Sequence, residues 1–303
     1  MKKLTQLKRD DETLDTFYHG RILVLQKKKG YRFSVDAPVL ADFIETREGE
    51  EVLEIGGGCG IISLLLSEKP FCHLTCLEIQ PALAELARRN VRLNGLEERI
   101  TVIEGDIRFY QPGKKFAVVF SNPPYFRVRS GWLGHNEERA IARHETAVTA
   151  RDIMGKTAEL LEAEGRSYFI YPINRYQEIM GLIKHYGLKP WRQRLVLPNA
   201  NRPPRFFLVE AGYLDRPTKE MPPLILFGPD GAYTAEAKRI FAGERPEARG
   251  EEKQGQNQVK RRSRKKKEGQ GESWPINRRE IPKGNQGSSR GEDRGRNRGE
   301  SRA

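Results

Sequence analysis

The clearest structural signal in this sequence lies at residues 51–60, which read Glu-Val-Leu-Glu-Ile-Gly-Gly-Gly-Cys-Gly. An apolar-rich run is followed at once by Gly56, Gly58 and Gly60, and Ile61–Leu66 then has the composition of the first turns of a helix. Because alternate glycines carry no side chain, they allow a sharp turn and a close approach of the backbone to a ligand. The stretch therefore predicts a strand, a glycine turn and a helix.

Strands and helices continue to alternate after this unit. The sequence predicts further strands at 73–79, 99–104, 116–120 and 166–171, and helices at 81–93, 149–163 and 174–186. The segments 191–197 and 205–212 are expected to form an antiparallel hairpin at the sheet edge. This order is typical of an α/β fold with a doubly wound, mostly parallel sheet and a C-terminal antiparallel hairpin, which binds its ligand at the carboxyl ends of the strands.

Composition divides the 303-residue chain, which carries a net charge of +13, into two parts. Residues 244–303 contain six hydrophobic residues, and 18 Lys and Arg against 10 Asp and Glu. Such a segment cannot bury a core, so we expect one domain over 1–243 and a disordered basic Arg/Lys/Gly-rich tail over 244–303. Arginine-rich tails of this kind bind RNA weakly and in a salt-sensitive way.

Other features limit the class of protein. No apolar run approaches the roughly 18 residues of a membrane span, and Met1-Lys2-Lys3 is followed by polar residues, so we expect a cytoplasmic protein without membrane contact. The three cysteines do not resemble a disulfide framework. Cys72 and Cys76 lack a second cluster that would complete a metal site, and no metal is expected.

Acidic residues at the ends of two predicted strands indicate a cofactor. Glu78 is placed to accept hydrogen bonds from ribose hydroxyls, and Asp106 lies within reach of an adenine amino group or of neighbouring backbone. Glu54 could receive the ammonium group of an amino-acid moiety. Together they outline a site for an adenosine joined to a zwitterion, which S-adenosylmethionine fits. The alternative is a tight glycine turn that holds no ligand.

A second motif follows the strand at 116–120 and reads Asn122-Pro123-Pro124-Tyr125. Successive prolines keep the backbone extended, so the Asn122 amide oxygen and the Pro123 carbonyl can both accept hydrogen bonds from one planar amino group. Two acceptors also stabilise the positive charge that develops on such a nitrogen when it is methylated. Tyr125 offers a flat face for stacking a base. The alternative is a plain proline turn.

The chain resembles class I S-adenosylmethionine-dependent methyltransferases, which have a Rossmann-like fold, over roughly residues 17 to 214. Within them it resembles the bacterial tRNA adenine-N6 methyltransferases that modify the adenine beside the anticodon of a valine tRNA. The resemblance rests on four motifs: residues 32–37 (RFSVDA), 54–60 (EIGGGCG), 122–126 (NPPYF) and 139–145 (RAIARHE). Departures occur at Gly57 and Cys59, where the family commonly has small polar residues.

The resemblance implies roles for individual residues. The cofactor would contact Glu54, Gly56, Gly58, Gly60, Glu78 and Asp106, with Asp36 closing its methionine end, while residues 122–125 would hold the target base of a tRNA. Arg143, His144 and Glu145 have three interpretations, namely a salt-bridge cluster, an RNA contact or, least favoured, a catalytic group. Two alternative functions stay open. One is methylation of a protein glutamine amide, and the other is RNA binding by a methyltransferase fold without activity.

Overall fold

The computed structural model describes residues 7–29, 34–123 and 148–244. Strands β1 (Glu12–Phe17) and β2 (Ile22–Lys27) pair antiparallel as a separate two-stranded sheet. Helix α1 (Asp36–Phe43) comes next in the described chain. Within the described ranges, no helix has both the length and the apolar character needed to cross a membrane.

The main sheet begins with the expected unit, in which β3 (Glu51–Ile55) leads through the glycine turn into α2 (Ile61–Leu66). The remaining elements are, in chain order, β4 (His73–Glu78), α3 (Pro81–Leu93), β5 (Ile100–Glu104), β6 (Phe116–Ser121), α4 (Ala150–Leu160), β7 (Leu161–Pro172), α5 (Tyr176–His185), β8 (Lys189–Leu197), β9 (Phe206–Gly212), β10 (Lys219–Ile225) and α6 (Ala235–Ala242). Short 3-10 helices cover Ile107–Phe109 and Ile173–Arg175.

Eight strands form this sheet in the order β10-β8-β9-β7-β6-β3-β4-β5. Neighbouring strands from β7 to β5 are parallel, and β9 is antiparallel to both β7 and β8. The expected doubly wound, mostly parallel sheet with a C-terminal antiparallel hairpin is therefore confirmed. Apolar clusters cover both faces of the sheet, with Val52 and Val118 on one side and Leu53 and Val119 on the other.

The position of the hairpin differs from the expectation, since the hairpin does not form the edge of the sheet. Strand β10 pairs parallel with β8 and covers its outer side. It contains Pro222 and Pro223, which lack amide donors and argue against a strand when only the sequence is considered. Proline is tolerated in an edge strand, because one side of that strand has no partner strand and a missing amide donor there costs no hydrogen bond. A smaller correction is that α4 ends at Leu160 and β7 begins at Leu161.

Two asparagines of α3 attach the N-terminal hairpin to the main domain. The Asn90 side chain accepts a hydrogen bond from the Leu25 amide (2.7 Å) and donates to the Leu25 carbonyl (3.0 Å). Asn94 makes the same two bonds with Leu23. The Asn90 Nδ2 also donates to the carbonyl of Cys59, in the glycine turn, at 2.9 Å. These amides pair the outer edge of β2 as a neighbouring strand would.

Candidate functional site

The glycine turn and the Asn122 motif begin next to each other at the carboxyl edge of the sheet. Strands β3 and β6 are parallel neighbours, and Ile55 pairs with Ser121 in the register. The Ser121 hydroxyl also donates to the Ile55 carbonyl at 2.7 Å. Because paired strands lie about 4.8 Å apart, Gly56 and Asn122 leave the sheet at adjacent points. The two motifs, separate in the sequence, thus start side by side at one edge of the sheet.

The turn has the backbone conformation that its glycines require. Gly56, Gly58 and Gly60 all lie in the left-handed region, with φ values of 76°, 58° and 82°. The amides of Gly56 and Gly57 both donate to the Leu77 carbonyl, at 2.8 and 3.1 Å, which ties the turn to the end of β4. A methyl group on Gly57 would overlap the Cys76 sulfur beneath it. The turn is therefore closely packed against β4 at Gly57.

Glu78 lies at the end of β4 beside this turn, as the sequence predicts. Its Oε2 accepts from the Gly58 amide at 2.7 Å, and its Oε1 accepts from the Gln80 amide at 2.8 Å. The residue is buried. Two backbone donors thus fix the carboxylate at the position from which a ribose contact is expected, and that contact stays a prediction.

Glu54 is buried beneath the turn with 1% of its surface exposed. Its carboxyl group accepts a hydrogen bond from the Ser63 hydroxyl and another from the Cys76 thiol. Burial raises the pKa of the Glu54 carboxyl to about 7, and these hydrogen bonds oppose the shift. The predicted contact with a cofactor ammonium group stays a prediction. Ser63, which the sequence analysis missed, has one signal, because it is the single polar residue of the apolar helix α2.

Asp106 follows β5 and is engaged by Arg108. The Arg108 amide donates to Asp106 Oδ1 at 2.9 Å, and the Arg108 Nε lies 3.0 and 3.1 Å from the two carboxylate oxygens. These hydrogen bonds lower the pKa of the Asp106 carboxyl. A contact between Asp106 and an adenine amino group stays a prediction, and Arg108 is a neighbour of that contact that the sequence analysis did not identify.

Asp36 lies beside Asn122 and is hydrogen-bonded to it. The Asn122 Nδ2 donates to Asp36 Oδ2 at 2.8 Å, and the Ser34 hydroxyl donates to Asp36 Oδ1. Asp36 is buried in the first turn of α1, while Asn122 is half-buried and the adjacent Pro123 is buried. The contact joins residues 86 positions apart in the chain. A role of Asp36 at the methionine end of a cofactor is not tested by this contact.

A cavity opens between the two motifs at the carboxyl edge. Its lining is mainly apolar and consists of Ile55, Gly56, Leu77, Ile79, Gly105, Ile107, Ser121, Pro123, Val148 and Ile153. Apolar walls with a few polar groups at the rim suit a flat aromatic ring. The described residues include no group of three or more possible metal ligands. Pro124, Tyr125 and the segment 139–145 with Arg143, His144 and Glu145 lie outside the described residues.

Comparison with known proteins gives one family. The model of the methyltransferase small domain matches residues 32–170. A curated relative from Vibrio cholerae, a tRNA1(Val) (adenine(37)-N6)-methyltransferase, is 31% identical over 60% of this chain and 75% of its own length. A relative of the same name from Bacteroides thetaiotaomicron is 28% identical over 64% of this chain and 81% of its own.

A solved structure supports the fold alone. The crystal structure of a predicted O-methyltransferase from Agrobacterium tumefaciens superposes with a TM-score of 0.54 at 20% identity. The match covers 68% of this chain and 95% of that one. The Rossmann-like arrangement of the sheet and its helices is thus the same in both proteins.

Proposed function

This chain belongs to the tRNA1(Val) (adenine(37)-N6)-methyltransferase family, and we propose that it transfers a methyl group from S-adenosylmethionine to the N6 atom of an adenine in tRNA. The observation that carries the proposal is the register of Ile55 with Ser121, which sets the glycine turn beside Asn122. A methyl donor on the turn and an amino group at Asn122 would then be close enough for direct transfer.

The residues at the turn fit S-adenosylmethionine. Three glycines in the left-handed region form the turn, and Gly56 is exposed with no atom within 4 Å of the point where a side chain would begin, so a ligand can approach the backbone there. The carboxylate of Glu78 is held beside the turn by two amides. The cofactor would be held by Gly56, Gly58, Gly60, Glu78 and Asp106. When bound, S-adenosylmethionine supplies a methyl group attached to a positively charged sulfur.

The protein's own contribution is to hold and polarise the acceptor. The Asn122 amide oxygen and the Pro123 carbonyl accept the two hydrogens of the adenine amino group, which makes the nitrogen lone pair more available. The same two acceptors stabilise the positive charge that forms as the new N–C bond is made. The methylated nitrogen then loses a proton to water, so no general base is required. Tyr125, which lies outside the described residues, would stack on the base.

An exposed basic loop supports RNA as the acceptor. Residues 198–205 join the end of β8 to the start of β9, at the same edge of the sheet as Asn122. Arg202 and Arg205 are exposed, and neither forms an ion pair with another described residue. Since β9 lies two strand spacings from β6, the end of the loop, at Arg205, is displaced about 10 Å sideways from Asn122. An RNA whose base enters the site would therefore pass these arginines with its backbone phosphates.

Three further assignments follow from the tRNA substrate. The modified base is the adenine that the relatives' name specifies, at position 37 of a valine tRNA. The reaction takes place in the cytoplasm, where tRNA is found. The basic segment 244–303, whose residues after Glu244 lie outside the described ranges, adds salt-sensitive RNA contacts that do not select the base.

Nucleoside mass spectrometry tests the proposal. Purified protein and S-adenosylmethionine are incubated with unmodified transcripts of a valine tRNA and of other tRNAs, and in parallel with a protein release factor that carries a target glutamine. We expect N6-methyladenosine in the valine tRNA, and its loss with Asn122→Ala while cofactor binding persists. Methylation of the release factor without any methylated RNA would identify a glutamine methyltransferase. Cofactor binding with no product on either substrate would contradict both activities.

A further inference from the structure

The hydrogen bond between Asp36 and Asn122 points to a role for Asp36 that differs from cofactor binding. We propose that Asp36 is a positioning residue, which holds the Asn122 carboxamide so that its oxygen, and not its nitrogen, is the end that receives the acceptor amino group. This inference rests on the proposed function, because it concerns the group that would grip the target adenine. It is carried by the 2.8 Å contact between Asn122 Nδ2 and Asp36 Oδ2.

The chemistry of the two groups determines which end of the amide faces Asp36. An ionised carboxylate only accepts hydrogen bonds, and in a carboxamide only the nitrogen can donate. The nitrogen end of Asn122 therefore faces Asp36, and the oxygen is the opposite end of the same planar group. If the amide were turned over, its NH₂ would meet the NH₂ of adenine, and two donors cannot form a hydrogen bond. Asp36 thus determines whether Asn122 can act as an acceptor.

Asp36 is itself held firmly, as a positioning group must be. It is 6% exposed and lies in the first turn of α1, where a negative charge is favoured by the helix dipole. The Ser34 hydroxyl occupies its other carboxylate oxygen. The next residues of the helix, including Ala37 and Leu40, are fully buried in the core. The carboxylate therefore lies on a packed element and has a second partner, Ser34, besides Asn122.

The carboxylate also changes the electronic character of the amide. A hydrogen bond from an amide N–H to an anion is charge-assisted and polarises the amide group. Electron density moves toward the oxygen, which becomes a stronger acceptor. Asp36 therefore contributes twice, by orienting Asn122 and by strengthening the bond that stabilises the charge developing on the adenine nitrogen.

Kinetics distinguish this role from a contact with the cofactor. With Asp36→Ala, we expect kcat for tRNA methylation to fall about 10- to 100-fold, by analogy with the loss seen when a group that orients a metal ligand is removed, while the Kd of S-adenosylmethionine stays within about threefold of wild type. Asp42→Asn is the matched control, because it removes a carboxylate on the same helix that pairs with Arg239, away from the site. A tenfold or larger increase in cofactor Kd at unchanged kcat would overturn the proposal.

Exchanging the two groups tests whether positions 36 and 122 act as a donor–acceptor pair. Asn122→Asp alone places two carboxylates in contact, so we expect activity to be lost. Adding Asp36→Asn restores a donor–acceptor pair, and the carboxylate introduced at position 122 presents an acceptor oxygen whichever way it is turned. We expect the double variant to be at least tenfold more active than Asn122→Asp. A double variant no more active than that single variant, in protein of normal thermal stability, would contradict the positioning role.

A measurement without tRNA separates this inference from the proposed function. The side-chain amide protons of Asn122 can be identified in a ¹⁵N NMR spectrum by their loss in Asn122→Ala. In wild type, one of them is expected at lower field as the donor to Asp36, and Asp36→Ala should shift it upfield by several tenths of a ppm. An unchanged resonance would overturn the inference even if the enzyme methylates tRNA. A shifted resonance in an enzyme inactive on tRNA would contradict only the proposed substrate.

Discussion

Folding changes the ionisation of the Glu54 carboxyl group. The group is buried under the glycine turn, where burial raises its pKa from 4.5 to about 7. Between these two pH values the folded chain keeps a proton that the unfolded chain has released. By linkage, stability contributed by this group is therefore present below pH 4.5 and is lost as the pH rises toward 7.

Replacing this carboxyl with an amide should remove the pH dependence that it causes. Glu54→Gln is expected to melt within a degree of wild type at pH 4.5 and several degrees above it at pH 8, because a fully ionised Glu54 costs roughly 3 kcal/mol. Thermal melts across this pH range measure the difference. The control is Glu51→Gln on the same strand, where the carboxylate is partly exposed beside Lys114. A difference in melting temperature between Glu54→Gln and wild type that stays the same from pH 4.5 to pH 8 would contradict the raised pKa of Glu54.

Gly57 and Cys76 form a packed pair in which the glycine leaves room for the sulfur. Gly57→Ala should reduce the free energy of unfolding by about 1–3 kcal/mol, since the new methyl group overlaps the Cys76 sulfur. Adding Cys76→Ala vacates that space and should recover part of the loss. Denaturant titration of the three variants measures the coupling. Purely additive effects would mean that the two positions do not share this space.

For single residues, the sequence predicts a position correctly where the order of strands and turns along the chain determines it. Gly56, Gly58 and Glu78 lie where a strand, a turn and a second strand must place them, and the structure has them there. The partners of Asp36 and Glu54 could not be predicted, because both depend on side chains from distant segments and on which way those side chains pack. The positions that sequence order alone identifies are thus those where the backbone determines the contact.

Helix α3 links the N-terminal hairpin to the glycine turn. Its two asparagines allow the contact with the hairpin to be tested separately from the contact with the turn. Asn90→Ala and Asn94→Ala each leave backbone groups of β2 without their amide partner, so both should destabilise the fold by about 1–3 kcal/mol. Only Asn90 also bonds the Cys59 carbonyl in the turn. We therefore expect Asn90→Ala to raise the Kd of S-adenosylmethionine about fivefold by calorimetry, and Asn94→Ala to leave it unchanged. Equal cofactor affinities in the two variants would refute the link.

The loop at residues 198–205 should contribute to RNA binding without affecting the cofactor. The double variant Arg202→Ala/Arg205→Ala removes two charges, so we expect a higher KM for tRNA and a salt dependence of binding shallower by about 1.5 in the log–log slope. Filter binding at several salt concentrations measures this slope. Arg175→Ala is the control, because that arginine already pairs with Glu178. An unchanged slope in the double variant would place the RNA elsewhere.

Elements were predictable where hydrophobic runs and turn residues alternate, and hidden where a strand has an unusual partner. Strands β3 to β7 are of the predictable kind. The edge strand β10 carries two prolines, and β2 is completed on one side by the asparagine side chains of α3 rather than by a strand. Hydrophobic periodicity indicates burial but not the identity of the hydrogen-bond partner, so these elements became visible only in three dimensions.

At the scale of the whole chain, the basic segment should be separable from catalysis. Truncation after Glu244 removes 18 Lys and Arg and few apolar residues. We expect the melting temperature and the cofactor Kd to stay near those of the full chain, while the KM for tRNA rises several-fold at physiological salt. Steady-state kinetics on both proteins test this expectation. A fall in melting temperature of several degrees would show that the segment packs on the domain.

The pairing of β3 with β6 also sets an order in time. The residues proposed to hold the cofactor lie on or directly after strands β3, β4 and β5, which are adjacent in both the chain and the sheet, whereas Ser121 bonds Ile55 across 66 residues. During translation the amino-terminal strands leave the ribosome first, and local contacts form sooner than distant ones. A nascent chain can thus assemble its cofactor pocket while the acceptor half is still being synthesised. We expect the acceptor half to be completed later than the cofactor half, when β6 docks against β3.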